Sequence, residues 1–282
     1  MIVEERSIRS GLLKFTSYII LGILFVATIY PLFWTLMTSL KEYRLILKDP
    51  AALPSLSALT LHNYGIIWRE GVSTFFFNSI FITVCTVIGT LFLSAMAGYG
   101  FARFKFRGSD ALFLLFAMSL VVVAPSIMIS EYLLLHFLHL LSTRIGIILL
   151  YWSGTAFGII MTSNAFRGVP QDIIDAAHID GCGEFTVFLR IAFPLIKPTL
   201  ATITIFTLVW SWNTLIWPLL ILQKLGQQTI IVALLGFLKG QYMVDWGCLT
   251  AGLSIGFLPM LVGYFFFQKY FVQGLTLGSM KG

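Results

Sequence analysis

The side chains best suited to chemistry lie in one polar loop, Arg167–Pro198. It separates two stretches, 145–166 and 198–223, that contain no Asp, Glu, Lys or Arg. The loop holds four acids, Asp172, Asp175, Asp180 and Glu184, and three bases, Arg167, Arg190 and Lys197. No Ser, His and Asp in the chain have a spacing that argues for nucleophilic catalysis. We therefore interpret these charges as groups that pair with another surface, and predict no catalytic residue.

A short helix is predicted within this loop. Pro170 suits the first helical position, Asp172 favours the positive N-terminal end, and Gly181 can end the helix in the left-handed conformation. The eleven residues from Pro170 to Asp180 span about 16 Å, which is too short to cross a bilayer. Apolar and acidic residues fall on different faces, with Ile173, Ile174 and Ala177 on one and Asp172, Asp175 and Asp180 on the other. This pattern predicts a helix that lies against something else.

A second polar group interrupts the apolar stretch Pro198–Gln223. Ser211, Asn213 and Thr214 lie there among Trp210, Trp212 and Trp217, with Pro218 close behind. An amide in hydrocarbon needs a partner, which can be another helix, a backbone carbonyl or a hydroxylated substrate. Aromatic faces beside hydrogen-bonding groups suit sugars. Trp212 and Asn213 are therefore candidates for lining a pathway, and the alternative is a contact between helices.

Other kinds of site find little support in the sequence. Gly-Lys followed by Ser or Thr does not occur, so a phosphate-binding loop of that type is excluded. His136 and His139 have no third ligand nearby, and the three cysteines are scattered singly, so we predict no metal site. The six apolar stretches described next contain no acid, which disfavours an ion-coupled carrier.

Membrane-spanning helices must position these groups. The chain is 58% hydrophobic and 11% charged, whereas soluble domains carry about 25% charged residues. Because about 20 apolar residues cross a bilayer, uncharged stretches predict an all-α membrane protein with six transmembrane helices. The predicted spans are Phe15–Leu40, Val72–Ala102, Ala111–Ser130, Ile145–Phe166, Pro198–Gln223 and Trp246–Gln268. The intervening segments are predicted as loops: Lys41–Gly71 with a short helix near Leu61–Trp68, the link Glu131–Arg144, and Lys224–Asp245.

The distribution of Lys and Arg predicts the orientation. With the N-terminus in the cytoplasm, eleven basic residues fall on that side and seven on the other. Three of the eleven, Arg103, Lys105 and Arg107, directly follow the second span. We therefore expect cytoplasmic N- and C-termini and a cytoplasmic Arg167–Pro198 loop. The net charge of +6 fits this topology better than a nucleic-acid partner.

The polar loop also resembles a known motif. Permeases of ATP-binding-cassette (ABC) importers carry a cytoplasmic loop of the form EAA, three residues, G, nine residues, I-x-L-P. Here Asp175-Ala176-Ala177, Gly181 and Ile191-Ala192-Phe193-Pro194 keep every spacing. Asp175 replaces Glu, and Phe193 replaces Leu. Asp keeps the charge on a side chain one methylene shorter, so we expect any salt bridge that the family makes there to be weaker or water-mediated.

Further segments resemble the carbohydrate-uptake branch of this family, of the maltose-permease smaller-subunit type. Gly98-Tyr99-Gly100-Phe101-Ala102-Arg103 looks like its A-Y-A-F-A-R segment, and Trp212-Asn213 with Pro218-Leu219 like its W-N…P-L segment. The C-terminal segments Gln268–Thr276 and Met280-Lys281-Gly282 are similar to its tail.

The resemblance implies a type-1 ABC importer permease core with a cytoplasmic coupling helix, in a bacterial or archaeal cell membrane. Its implied partners are a second permease subunit, two ABC ATPase subunits, an external solute-binding protein and the lipid bilayer. ATP and Mg would bind the ATPases, so no cofactor is expected here. Within the motif, Asp175 would pair with a basic ATPase residue, Ala176 and Ala177 would allow close docking, and Gly181 would form the turn. Ile191 and Pro194 complete the ATPase-coupling set.

Three segments follow from these observations. Residues 1–71 are predicted to hold the N-terminal tail, first span and external loop, residues 72–268 the permease core with the coupling loop 167–198, and residues 269–282 a cytoplasmic tail. The expected function is a sugar-importer permease without enzymatic activity. Alternatives are a permease for another small solute, such as a glycerol phosphate diester or polyol, and a stand-alone channel or secondary carrier. A membrane-embedded enzyme would need a catalytic cluster that we do not find.

Overall fold

The computed structural model describes the backbone of residues 2–50, 52–55, 58–122, 124–238 and 245–279. It describes the side chains of residues 14–50, 52–55, 58–122, 125–236 and 245–266. Every element of regular structure in these ranges is helical, which confirms the all-α prediction. The helices are α1 (Ile2–Ser39), α2 (Tyr43–Lys48), α3 (His62–Arg69), α4 (Val72–Arg103), α5 (Ser109–Ser119), α6 (Ala124–Phe137), α7 (Arg144–Ser153), α8 (Ala156–Arg167), α9 (Gln171–Ile179), α10 (Glu184–Leu195), α11 (Lys197–Asn213), α12 (Ile216–Ile221), α13 (Ile230–Leu238) and α14 (Trp246–Ser279).

Three helices are individually long and apolar enough to cross a membrane. They are α1 over Lys14–Ser39, α4, and α14 over Trp246–Phe266. They coincide with the first, second and sixth predicted spans. Two bent pairs also pass the test, α7 with α8 at 50° and α10 with α11 at 77°. Within the described residues, up to five spans are therefore present by length and composition.

The prediction of one continuous third helix over Ala111–Ser130 is wrong. Helix α5 ends at Ser119, and α6 runs from Ala124 to Phe137, so it enters the predicted link Glu131–Arg144. Pro125 lies at the start of α6 and has no N–H to donate to the carbonyl four residues earlier. One regular helical hydrogen bond is therefore missing at this point, although α1 and α14 continue through Pro31 and Pro259.

The fifth predicted helix is also interrupted. Helix α11 ends at Asn213, and Thr214 is extended with φ −69° and ψ 124° before α12 begins at Ile216. Pro218 explains the break because it has no N–H for the Thr214 carbonyl and its ring would clash with it. The predicted loop Lys224–Asp245 contains a further helix, α13.

The chain divides into two compact units. The first comprises residues 1–71 and 234–255, and the second residues 72–233 and 256–282. In the first unit the predicted short helix is present as α3, and α2 precedes it. The Asn63 amide donates to the carbonyls of Ser39 and Lys41, each at 2.8 Å. These bonds fasten α3 to the C-terminal end of α1, where carbonyls lack helical partners.

In the second unit, α4 packs against α7, α8 and α11. Small residues allow α4 and α8 to approach closely. A Cβ on Gly98 would overlap Thr162, and one on Gly158 would overlap Ser94. The Thr162 hydroxyl donates to the Ser94 carbonyl at 2.7 Å. Packing of small residues with interhelical hydrogen bonds is typical of membrane helices, where hydrophobicity does not drive association.

Candidate functional site

Helix α9 is the short helix predicted in the polar loop. It begins one residue later than expected, because Pro170 is the N-cap and not the first helical residue. Gly181 has φ +84°, as predicted for a left-handed C-terminal residue. The Gly181 N–H donates to the His178 carbonyl and the Cys182 N–H to the Ala177 carbonyl, both at 3.0 Å. This pair of bonds is a Schellman motif, which ends the helix sharply.

The apolar face of α9 is narrower than the sequence suggested. Ile174 is 3% exposed and Ala177 6% exposed. Both belong to a buried cluster that includes Tyr99, Phe166, Val187, Phe188 and Ala192. Ile173, predicted on the same face, is 41% exposed, and Ile179 is 86% exposed. The outward surface of α9 therefore combines apolar and acidic side chains.

The three residues of the Asp-Ala-Ala triplet have different surroundings. Asp175 and Ala176 are exposed, whereas Ala177 lies in the chain's own core. Ala177 is therefore not available for direct contact with another subunit. We expect its small size to matter for packing α9 against α10. The docking role predicted for Asp175 and Ala176 stays a prediction, made more specific by their exposure.

Asp175 is held by its own helix. Its Oδ1 accepts a hydrogen bond of 2.9 Å from the side-chain amide of Gln171, one turn earlier. That amide oxygen in turn accepts a 2.6 Å bond from Nη1 of Arg103 at the end of α4. Nη2 of Arg103 donates to the carbonyls of Phe166 at 2.9 Å and Val169 at 2.8 Å. A guanidinium at the C-terminal end of α8 also complements the negative end of the helix dipole.

The other end of α9 has a second set of contacts. His178 Nε2 lies 3.4 Å from the Glu184 carboxylate, and its Nδ1 lies 3.2 Å from the Cys182 carbonyl. The Tyr99 hydroxyl lies 3.5 Å from the other oxygen of Glu184. Tyr99 and Arg103 are four residues apart on α4, which places them on the same side of that helix. The two ends of α9 are thus linked to one turn of α4.

Sequence reasoning did not select Tyr99, Arg103, Gln171 or His178 as site residues, and it named Glu184 only as one of the four acids in the polar loop. A signal was present for the first two. They stand one turn apart in the Gly98–Arg103 segment, immediately before a basic turn. The pairing with the loop could not be deduced, because about 70 to 85 residues separate the partners along the chain.

Ile191 and Pro194 lie on α10, which follows the loop. Residues Val187–Ala192 form a π-helical segment, and Ile191 is half-buried within it. Pro194 provides no N–H, so the preceding carbonyls cannot all have regular α-helical partners, which accounts for the irregular geometry. Helix α11 then leaves at 77° to α10. The motif residues thus mark the junction between the loop and a membrane helix.

The two candidate pathway residues differ sharply. Trp212 is 6% exposed, and its indole N–H donates to the Gly256 carbonyl of α14 at 3.0 Å. It also packs edge-to-face on Phe76 at 6.1 Å between ring centroids. This is the interhelical contact that was the alternative interpretation. Asn213 is exposed, and its amide nitrogen donates to the Val209 carbonyl at 2.8 Å. Of these two residues, only Asn213 presents a polar group at the break between α11 and α12.

In the part of the chain that the structure describes, no three His, Cys, Asp or Glu side chains form a group able to hold a metal ion. The chemistry assembled at α9 consists of hydrogen bonds and the contact between His178 and the Glu184 carboxylate. The arrangement can present an oriented carboxylate, and apolar groups beside it, to another surface.

The chain is similar to known membrane-transport proteins. Residues 90–277 match a family model described as binding-protein-dependent transport system inner membrane component. The chain is 33% identical over 257 residues to the arabinooligosaccharides transport system permease protein AraQ of Bacillus subtilis, covering 90% of this chain and 91% of that protein. It is 30% identical over 268 residues to the probable starch degradation products transport system permease protein AmyC of Thermoanaerobacterium thermosulfurigenes, covering 93% and 94%.

A solved structure shares the fold. It is a bacterial ABC transporter involved in the import of the acidic polysaccharide alginate, with a TM-score of 0.82 and 23% identity. The match covers 92% of this chain and 96% of the chain in that structure. The permease fold expected from the sequence is thereby confirmed.

Proposed function

Because the chain belongs to the family of binding-protein-dependent transport system inner membrane components, we propose that it is the permease subunit of an ATP-driven importer for sugars. The observation that carries the sugar assignment is its likeness, over at least 90% of its length, to two permeases named for arabinooligosaccharides and starch degradation products. The C-terminal and Trp212-Asn213 segments of the sequence support the same branch.

The proposed partners are a second permease subunit, two ABC ATPase subunits and an external solute-binding protein. The outward surface of α9 supports the ATPase contact. Asp175 is exposed and uses only one carboxylate oxygen within the described residues, which leaves Oδ2 for a basic group. Ile173 and Ile179 provide exposed apolar area on the same short helix. ATP and Mg would then bind to the ATPases and not to this chain.

The proposed orientation places both termini and α9 in the cytoplasm. It rests on the basic residues after α4 and around α9, which favour the cytoplasmic side. A cysteine introduced at Arg107 in a chain without native cysteines tests it. The new thiol should resist an impermeant maleimide in whole cells and react after the membrane is opened. Labelling in intact cells would contradict the orientation.

The function is tested by reconstitution. The complete transporter, purified with its ATPase and second permease, is placed in proteoliposomes with ATP at the ATPase side and the binding protein at the other. Uptake is measured over a panel of arabino- and malto-oligosaccharides, with a polyol and a glycerol phosphate diester included. We expect ATP-dependent uptake of at least one oligosaccharide. Uptake of only the polyol or the diester would refute the sugar assignment.

Two variants locate the coupling surface. Asp175→Lys places a like charge against the predicted basic partner and should reduce co-purification with the ATPase by about tenfold or more, because like charges at an interface cost several kcal/mol. Asp110→Lys is the matched control, since Asp110 lies in the first turn of a different helix, α5. Equal co-purification of both variants would show that Asp175 does not meet the ATPase.

A further inference from the structure

We propose that Arg103 and Gln171 are positioning residues for coupling, which hold the Asp175 carboxylate in the orientation that meets the ATPase. The inference rests on the proposed function and deepens it. It starts from the continuous series of hydrogen bonds that runs from α4 to α9, from Arg103 Nη1 to Gln171 Oε1 and from Gln171 Nε2 to Asp175 Oδ1.

The chemistry of the three groups gives this series a direction. A guanidinium only donates hydrogen bonds, and an ionised carboxylate only accepts them. A primary amide between them does both, and its two ends are not interchangeable. Because Arg103 occupies the amide oxygen, the NH2 group of Gln171 must face Asp175. The Gln171 side chain therefore directs a donor at one carboxylate oxygen and leaves the other for a partner.

Arg103 is itself held in place. Its second terminal nitrogen donates to two backbone carbonyls, those of Phe166 and Val169, and both bonds are partly buried. Backbone acceptors at the end of a packed helix cannot rotate away as side chains can. Hydrogen bonds thus connect the Asp175 carboxylate to α4 and α8. These two helices pack closely against each other through small residues. Displacement of α4 and α8 would carry the carboxylate with it.

The attachment of α9 does not depend on the bond between Gln171 and Asp175, which lies within the helix. Ile174 and Ala177 provide its buried contact, and the Gln171–Asp175 bond is exposed to solvent. Loss of one exposed hydrogen bond should change the stability of α9 little. Its effect on the direction of the carboxylate is separate, and it can be measured separately.

The variant Gln171→Glu separates the attachment of α9 from the direction of the Asp175 carboxylate. The carboxylate that it introduces still accepts from Arg103, and at the first position of α9 it suits the helix dipole. The substitution replaces the donor that faces Asp175 by a negative oxygen. The bond from Arg103 to residue 171 is therefore retained, whereas the hydrogen bond that orients the Asp175 carboxylate is lost. Adding Asp175→Asn in the double variant restores a hydrogen bond between residues 171 and 175, because an asparagine amide can donate to the carboxylate introduced at position 171.

The experiment measures sugar transported per ATP hydrolysed by the complete transporter in proteoliposomes, for the unmodified chain, Q171E, D175N and the double variant. D172N is the control, since Asp172 is exposed on the same helix. We expect Q171E to lower the ratio by about three- to tenfold, which lies within the net range of a typical intramolecular hydrogen bond and suits a bond that is exposed to solvent. In the D175N background, Q171E should have no further effect.

Three results contradict the inference. One is a ratio for Q171E equal to that of the unmodified chain. Another is a Q171E effect that persists in full in the D175N background, which would show that Gln171 does not act through Asp175. The third is an equal loss in D172N, which would indicate a general charge effect. In each case ATP-driven uptake by the unmodified complex leaves the proposed function standing, whereas its absence refutes the proposed function itself.

Discussion

Replacement of two adjacent isoleucines in α9 distinguishes the face that packs on the chain from the face that is free. Ile174 is 3% exposed and packs in the buried cluster with Phe188 and Val187, whereas Ile173 is 41% exposed. Truncation of a buried Ile to Ala costs about 2–5 kcal/mol, and a surface truncation about 0.5 kcal/mol or less. Since α9 buries only Ile174 and Ala177, we take the lower end, about 2 kcal/mol, for Ile174→Ala.

A loss of about 2 kcal/mol corresponds to an approximately 30-fold rise in the population of the opened segment. Hydrogen exchange of the α9 amides, measured on the protein in lipid nanodiscs, reports this population. We expect exchange to accelerate by about 30-fold in Ile174→Ala and by no more than about twofold in Ile173→Ala. The α3 amides serve as the internal reference, because α3 belongs to the other compact unit and contributes no residue to the cluster around Ile174.

Binding to the ATPase should rank the same two variants differently. Ile173→Ala removes exposed apolar area from the proposed docking surface, and it should weaken co-purification while leaving exchange unchanged. The reasoning would be refuted if both variants accelerated α9 exchange equally. It would also be refuted if Ile174→Ala left α9 exchange at the level of the unmodified chain.

Three further expectations concern the packing of the helices and the turn. Gly98→Ala should lower the midpoint of thermal unfolding by several degrees, because its Cβ would overlap the Thr162 hydroxyl of α8. Gly100→Ala should leave the midpoint unchanged, because no atom lies within 4 Å of its Cβ. Equal midpoints for the two variants would contradict the close α4–α8 contact. Gly181→Ala should lower the free energy of unfolding by about 1–2 kcal/mol and reduce uptake, since a φ of +84° is strained for alanine. Gly183→Ala, at φ −74°, is the control and should have little effect on either the midpoint of unfolding or uptake. Trp212→Phe should lower stability by about 1 kcal/mol through loss of its hydrogen bond to α14 and leave the KM for the transported sugar unchanged; an altered KM would instead place this side chain in the pathway.

The sequence by itself determined the features that depend on local chemistry. Apolar stretches of about 20 residues without charge are long enough to cross a bilayer as helices, so most spans, and the all-α class, followed from composition. Gly181 ends α9 because a left-handed residue without Cβ strain is available where the helix must stop. The spacing from Asp175 to Pro194 pointed to the family that the comparisons then showed. Proline was not decisive by itself. Breaks between helices precede Pro125 and Pro218, whereas α1 and α14 run through Pro31 and Pro259.

Only the tertiary structure decided which side chains face inward. A helix turns by about 100° per residue, so Ile173 and Ile174 both fit an apolar stripe, and the helices that pack against α9 determine which one is buried. The same holds for Ala176, which is exposed, and Ala177, which is buried. It also holds for Trp212, whose indole N–H donates to the carbonyl of Gly256, 44 residues further along the chain. The link from Arg103 through Gln171 to Asp175 joins residues that are far apart in the chain. Such contacts arise from the path of the whole backbone, which local residue patterns do not specify.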